Sequence, residues 1–239
     1  MIVGNKQFME MQMTRCILII VLIFFSACKE RYNEVVVQRW EDGSEKIIHT
    51  FDNQIDTTSY VRTFYYQNGN LGTKGRINNG QKDGIWEWWY SNGNKKDLAN
   101  FNLGLYVNER KHWREDGSLK LIEVIDNSCD ESIECCDGKL LFYNEQSIKV
   151  MEYNMKDCEY DGVGYSYFSD GKIKREFNYR KGKKEGVNYE YYPNGNLRVS
   201  GEYQNDLEQG KWVYVDSLGK EEAYEFYENG KVVKTELVN

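Results

Sequence analysis

The sequence predicts an all-β chain: an elongated, single-layer antiparallel β-meander or solenoid of about eight hairpin repeats, with a period near 24 residues. Three observations predict it. Turn-forming dipeptides recur at Asp42-Gly43, Asn68-Gly69, Asn92-Gly93, Asp116-Gly117, Asp170-Gly171, Asn194-Gly195 and Leu218-Gly219, with a degenerate slot at Glu145-Gln146, so the spacings are 26, 24, 24, 29, 25, 24 and 24. Aromatic and apolar residues keep step with those turns. The composition combines 21 Gly with a single Pro and 15% aromatic residues. That mixture suits short strands and tight turns, and it excludes collagen-like and Pro-rich chains.

Counting each unit from its Gly slot as zero, position -4 reads Arg39, Tyr65, Trp89, Trp113, Phe142, Tyr167, Tyr191 and Val215. Position -3 reads Trp40, Tyr66, Tyr90, Arg114, Tyr143, Phe168, Tyr192 and Asp216. Position +8 is large in seven of eight units, the exception being Asn154, and position +11 is Gly, Asp or Ser in all but the first, which has Gln54. Each unit is therefore strand, turn, strand, turn. Asn-Gly and Asp-Gly suit a two-residue type I′ loop, which needs φ > 0 at both central positions. Such a loop pairs position -3 with +2, places +8 on the same face as both, and turns -4 to the other face. The glycines Gly84, Gly186 and Gly210 at +15 fit the second turn. Pro193 precedes its Asn-Gly, where a missing ladder N–H matters least. No amphipathic helix is expected over 35–239.

The chain divides into a signal segment over 1–27, a short tether over 28–34 and the repeats over 35–239, with an insertion near 128–138. The apolar run Cys16–Ala27 holds 12 residues, too few to cross a bilayer core, which takes about 20. Arg15 precedes it and Ser26 and Ala27 close it, the layout of a secretory signal. Phe25-Ser26-Ala27-Cys28 resembles the lipobox of bacterial lipoproteins, which implies cleavage before Cys28 and acylation of its thiol. No Asp follows Cys28, so the expected location is the outer membrane. Acyl chains contribute about 0.8 kcal/mol per buried CH₂, enough for a lasting anchor when two are present.

Four cysteines remain in the exported part: Cys129, Cys135, Cys136 and Cys158. An even number outside the cytosol reads as disulfides. The adjacent pair Cys135 and Cys136 strains against bonding to itself. The expected pattern joins Cys129 to one of them and Cys158 to the other. The alternative is a thiolate metal site with Asp130, Glu131, Glu134 and Asp137 nearby, but the zinc spacing C-x₂-C is absent, and no metal or other cofactor is expected.

The segments Trp86-Glu-Trp-Trp-Tyr-Ser-Asn-Gly-Asn94, Val187-Asn-Tyr-Glu-Tyr-Tyr-Pro-Asn-Gly-Asn-Leu197 and Gly201-Glu-Tyr203 resemble MORN-repeat-variant proteins over about 35–239. The resemblance implies a single-layer antiparallel β-meander with no catalytic residues to carry over. Bacterial members are often described as antitoxins, a description that a lipobox fits poorly. Gln54 and the slot at Gln146 depart from the family pattern.

Nothing points to catalysis. His49 and His112 have no nucleophile pattern beside them and read as surface histidines. Gly80-Gln-Lys-Asp-Gly84 and Gly182-Lys-Lys-Glu-Gly186 have the composition of phosphate loops but recur with the period, so they read as turns. The net charge of -7 and pI near 5.1 argue against nucleic acid. The expected function is that of a non-catalytic, lipid-anchored scaffold of the cell envelope that binds another protein, with glycan binding or toxin neutralisation as alternatives. The candidate binding residues are Trp89, Tyr167 and Tyr191 on the face of position -4 and Trp88 on the opposite one.

Overall fold

The computed structural model describes residues 33–53, 55–126, 129–130 and 137–238. The signal segment, Cys28, most of the tether, and Cys135 and Cys136 lie outside the described residues. Those residues form one antiparallel sheet in meander order, from the strand Glu34–Arg39 to the strand Lys231–Leu237, and they contain no helix. Each strand pairs with the next: Glu34–Arg39 with Glu45–Phe51, that strand with Ser59–Tyr65, and so on to the last hairpin, Glu221–Glu228 with Lys231–Leu237. The insertion contributes one short piece, Cys129–Asp130, which pairs with Leu105 and Tyr106.

The first turn of each unit is not the type I′ loop that the sequence predicts. In the first turn only the slot residue has positive φ, for example Gly69 at 85° and Gly93 at 91°, while the preceding Asn or Asp does not. In all eight units the N–H of the slot residue donates to the carbonyl of position -3, whose own N–H donates to the carbonyl of +1. This is a three-residue loop, a type I turn closed by one left-handed residue. In the six units other than the first and fourth, the second turn is a type I′ loop. Asn79 and Gly80 have φ 48° and 80°, Lys181 and Gly182 have 50° and 75°, and Asn205 and Asp206 have 51° and 70°.

The longer first loop changes the register. Position -4, not -3, stands opposite +2, as in Tyr65 opposite Leu71, Trp89 opposite Lys95 and Tyr191 opposite Leu197. A one-residue shift follows at once in each hairpin, between Phe64 and Tyr65 for instance. The extra residue reverses the alternation. Position +8 therefore lies with -5 and -7, on the face opposite to +2. Phe101 at +8 contacts Trp86 and Trp88, whereas Lys95 at +2 meets Glu87 at 2.7 Å. The glycines at +15 are not turn residues. Gly84, Gly186 and Gly210 sit in or at the start of strands with φ 68°, 86° and 69°, as does Asn108 at 65°.

The fifth slot is Ser147, not Gln146. Ser147 has φ 58°, and its N–H donates to the carbonyl of Asn144. With the slot moved by one, Tyr143 stands at -4, Met155 replaces Asn154 at +8, Cys158 takes +11 with φ 67°, and Gly162 takes +15 with φ 93°. The column at +8 is then large in every unit.

Packing follows from this register. Ile77, Trp86, Ala99 and Phe101 form a buried cluster, with Tyr60, Trp88 and Tyr106 against it. Trp86 at -7 lies over Gly75 and directly opposite Ala99. Trp212, also at -7, lies over Gly201. A Cβ on Gly75 or Gly201 would fall 2.2 or 2.0 Å from the indole. One face thus buries each large ring by leaving a hollow beside it.

Candidate functional site

The face that carries the cluster, called here face A, continues into a polar network between the third and fourth units. Asp97 at +4 stands opposite His112 at -5, and Arg110 at -7 opposite Glu123 at +6. His112 Nδ1 lies 2.6 Å from Asp97 Oδ1, and Nε2 lies 3.5 Å from Glu123 Oε1. Arg110 forms an ion pair with Glu123 and stacks its guanidinium 4.3 Å from the centre of the Tyr106 ring. His112 is thus not the surface histidine expected from its surroundings in sequence. Burial opposes its charge, but the hydrogen bond to Asp97 and the nearby Glu123 carboxylate outweigh it and raise the imidazolium pKa to about 9. Burial likewise works against the Glu123 carboxylate, yet His112 and Arg110 hold its pKa below the usual range.

Above this network is an open cavity of about 540 Å³, lined by Lys82, Trp88, Tyr106, Asp97, Arg110 and His112 among others. A second concavity of about 180 Å³ lies on the same face, three units further on, with Arg175, Lys184, Asn188, Glu190 and Trp212 in its lining. The two are related by the repeat, three units apart: Asp97 and Arg175 both occupy +4, Arg110 and Asn188 both occupy -7, and His112 and Glu190 both occupy -5. Lys82 Nζ is 5.0 Å from the centre of Phe101 at +8, and Lys184 Nζ is 4.8 Å from that of Tyr203 at +8.

The opposite face, face B, is built from positions -4, -6, -8 and +2. It holds Trp89, Tyr167 and Tyr191. Tyr167 pairs with Tyr165, centroids 6.3 Å apart, and Tyr191 with Tyr189 at 6.4 Å. The Tyr167 hydroxyl is 3.1 Å from Glu152 Oε2, and Lys149 Nζ lies 4.2 Å from the ring centre. Ile85, Ile173 and Val187 on this face are 62%, 39% and 41% exposed. The structure therefore parts the candidate binding residues: Trp88 lines the cavity on face A, and the other three stand on face B.

Cys129 and Cys158 are both disulfide-bonded. Among the described residues no cluster of His, Cys, Asp and Glu is arranged to hold a metal ion.

The fold and its two continuous faces define a repeat scaffold of β-hairpins. Three of its stretches, residues 82–102, 160–181 and 184–205, match the family model described as MORN repeat variant. Each match begins eleven residues before a slot glycine, at Gly93, Gly171 and Gly195, so the family unit is one hairpin bounded by second turns. No curated protein matches the chain.

Proposed function

We propose that this chain is a lipid-anchored scaffold of the cell envelope that binds another protein through face B and performs no catalysis. The observation that carries the proposal is the open state of that face. Tyr165, Tyr167, Tyr189 and Tyr191 line it beside exposed Ile173 and Val187. Among the described residues no large side chain is less than 2% exposed, so neither face is covered by a second layer. Tyrosine is among the residues that protein interfaces and their hot spots favour. Repeat strips offer such surfaces over long spans. The signal-like run and Cys28 support the anchor.

The test is a pull-down from detergent-solubilised membranes with the wild-type chain and with Tyr167→Ala plus Tyr191→Ala. A partner captured by the first and lost by the second supports the proposal. Equal capture by both removes face B from it. Cys28→Ala should release the protein from membranes, and retention would overturn the anchor. Recovery of the wild-type protein from the cytosol alone would favour toxin neutralisation instead.

A further inference from the structure

We propose that the outer edge of the strand Lys231–Leu237 pairs with the same strand of a second copy of this chain, so that two copies join in one continuous antiparallel sheet. Among the described residues this strand pairs with Glu221–Glu228 and with no other. An open edge offers backbone N–H and C=O groups that a strand of another molecule can take up. The N–H of Val238 donates to the Glu222 carbonyl. Strand alternation then points the N–H groups of Thr235 and Leu237 outward. The register is regular there: Lys234, Thr235, Glu236 and Leu237 stand opposite Phe226, Glu225, Tyr224 and Ala223. Val232, Val233 and Leu237 on this strand are exposed.

Self-complementarity makes a second copy the occupant. A two-fold axis through Thr235, perpendicular to the sheet, sets Thr235 against Thr235 of the second copy, and the two exchange backbone hydrogen bonds. Lys234 then stands directly opposite Glu236 of the second copy, and Glu236 opposite its Lys234, while Leu237 comes beside its Val233. Threonine pairs and opposite charges are each favourable across strands. The neighbouring registers with the same hydrogen-bonding phase set Glu236 against Glu236 or Lys234 against Lys234, which like charges disfavour. A lysine on an edge strand ordinarily wards off other strands. Here Glu236, two residues on, makes it select one register instead. Within one chain Lys234 and Glu236 already pair at 2.5 Å, with side chains 62% and 42% exposed. An exposed pair of this kind holds its members weakly, so both can be shared with the second copy in a cluster of alternating sign.

The direction of the strands favours this contact over a head-to-tail one. An even number of antiparallel pairings separates Glu34–Arg39 from Lys231–Leu237, so the two run the same way. A head-to-tail contact between them would be parallel, or would set face A of one copy beside face B of the next. The two-fold contact is antiparallel, like every pairing within the chain, and keeps face A beside face A. It closes at two copies. The overlap is short, so the contact belongs to the weak and reversible class.

The experiment is analytical ultracentrifugation of the full chain in mild detergent, over a concentration series up to the millimolar range. The samples are the wild type, Lys234→Glu, Glu236→Lys, an equimolar mixture of those two variants, and Thr235→Pro. The expected result is a reversible wild-type dimer that each charge reversal alone weakens about tenfold or more. The mixture should restore it, because the two variants then meet with opposite charges, which a pair confined to one chain cannot do. Thr235→Pro removes an N–H that the fold leaves outward, so it should abolish the dimer while circular dichroism shows the sheet intact. A wild type that stays monomeric throughout would overturn the proposal. So would a dimer that both reversals leave unchanged, a mixture no tighter than either variant alone, or a ladder of higher oligomers. Because the protein partner is assigned to face B, the Tyr167→Ala plus Tyr191→Ala variant should dimerise normally, so the two proposals fail separately.

Discussion

The hydroxyl of Tyr66 donates a 2.9 Å hydrogen bond to the carbonyl of Trp89, one unit further along the sheet. The bond repeats. Trp40 Nε1 donates to the Tyr65 carbonyl at 3.2 Å, Tyr90 to Trp113 at 2.9 Å and Tyr192 to Val215 at 3.0 Å. Where the fourth unit has Arg114 instead, its guanidinium donates to the Tyr143 carbonyl at 2.6 Å. Position -3 is therefore a donor to the -4 carbonyl of the next unit, and this links units in addition to the strand ladder. The same geometry places Tyr143, not Phe142, at -4.

Tyr90→Phe should lower stability by about 0.5–1.5 kcal/mol, the usual net worth of one such bond. The converse is the sharper check. Phe168 occupies -3 without a donor, and the carbonyl at the equivalent place in the next unit is that of Tyr191. Phe168→Tyr should raise stability by a similar amount in urea denaturation. No gain would mean that the hydroxyl fails to reach that carbonyl.

Gly75→Ala should destabilise by about 1–3 kcal/mol, because its Cβ would collide with the Trp86 indole and the ring has no free space to enter. Gly43→Ala meets no atoms within 4 Å and is strained only by its φ of 85°. The first substitution should be rescued in part by Trp86→Leu and the second should not, which thermal melts of the four variants would show.

Leu103 holds a left-handed conformation, φ 46°, in the second turn of the third unit and is 48% exposed. Equivalent positions elsewhere hold Asn79, Asn205 and Asn229. Leu103→Asn should stabilise by about 1 kcal/mol, since a Cβ-bearing apolar residue pays roughly that for positive φ. Unchanged or reduced stability would contradict this.

The charge on His112 stabilises the fold because its pKa rises to about 9 from an ordinary 6.5. The contribution is fully present below pH 6.5 and is lost as pH rises through about 9. Wild-type stability should therefore fall between pH 7 and 9.5 relative to His112→Gln. Parallel urea titrations across that window check it, and parallel curves would contradict the network.

The Asn and Asp of the first turn show why the turn type was hard to read. They are not chosen for φ > 0. The side-chain oxygens of Asn68, Asn92, Asp116, Asp170 and Asn194 accept the N–H two residues on. The amides of Asn68 and Asn70 both donate to the Ser91 carbonyl of the next unit, and Asn92 with Asn94, and Asn194 with Asn196, repeat this. Where the residue before the slot cannot serve, as at Gln146 and Leu218, the side chains of Asn144 and Asp216 at -3 accept the same N–H groups. Two of the gaps in the aromatic column are thus turn caps, a role that a column of residue types does not display.

The sequence by itself determined the period, the all-β class, the meander and the first turn of seven units, because slot glycines and spaced rings impose these locally. What only the tertiary structure decided is which residues share a face. One extra residue in each first turn shifts the pairing and reverses the alternation, so +8 joins Trp86 and Trp88 and leaves +2. From that shift follow the hollows at Gly75 and Gly201, and the meeting of Asp97, Arg110, His112 and Glu123, which lie on three strands. A polar cluster of this kind has no local signature. Its members on different strands are 11 to 26 residues apart along the chain, in steps that make sense only once the register is known.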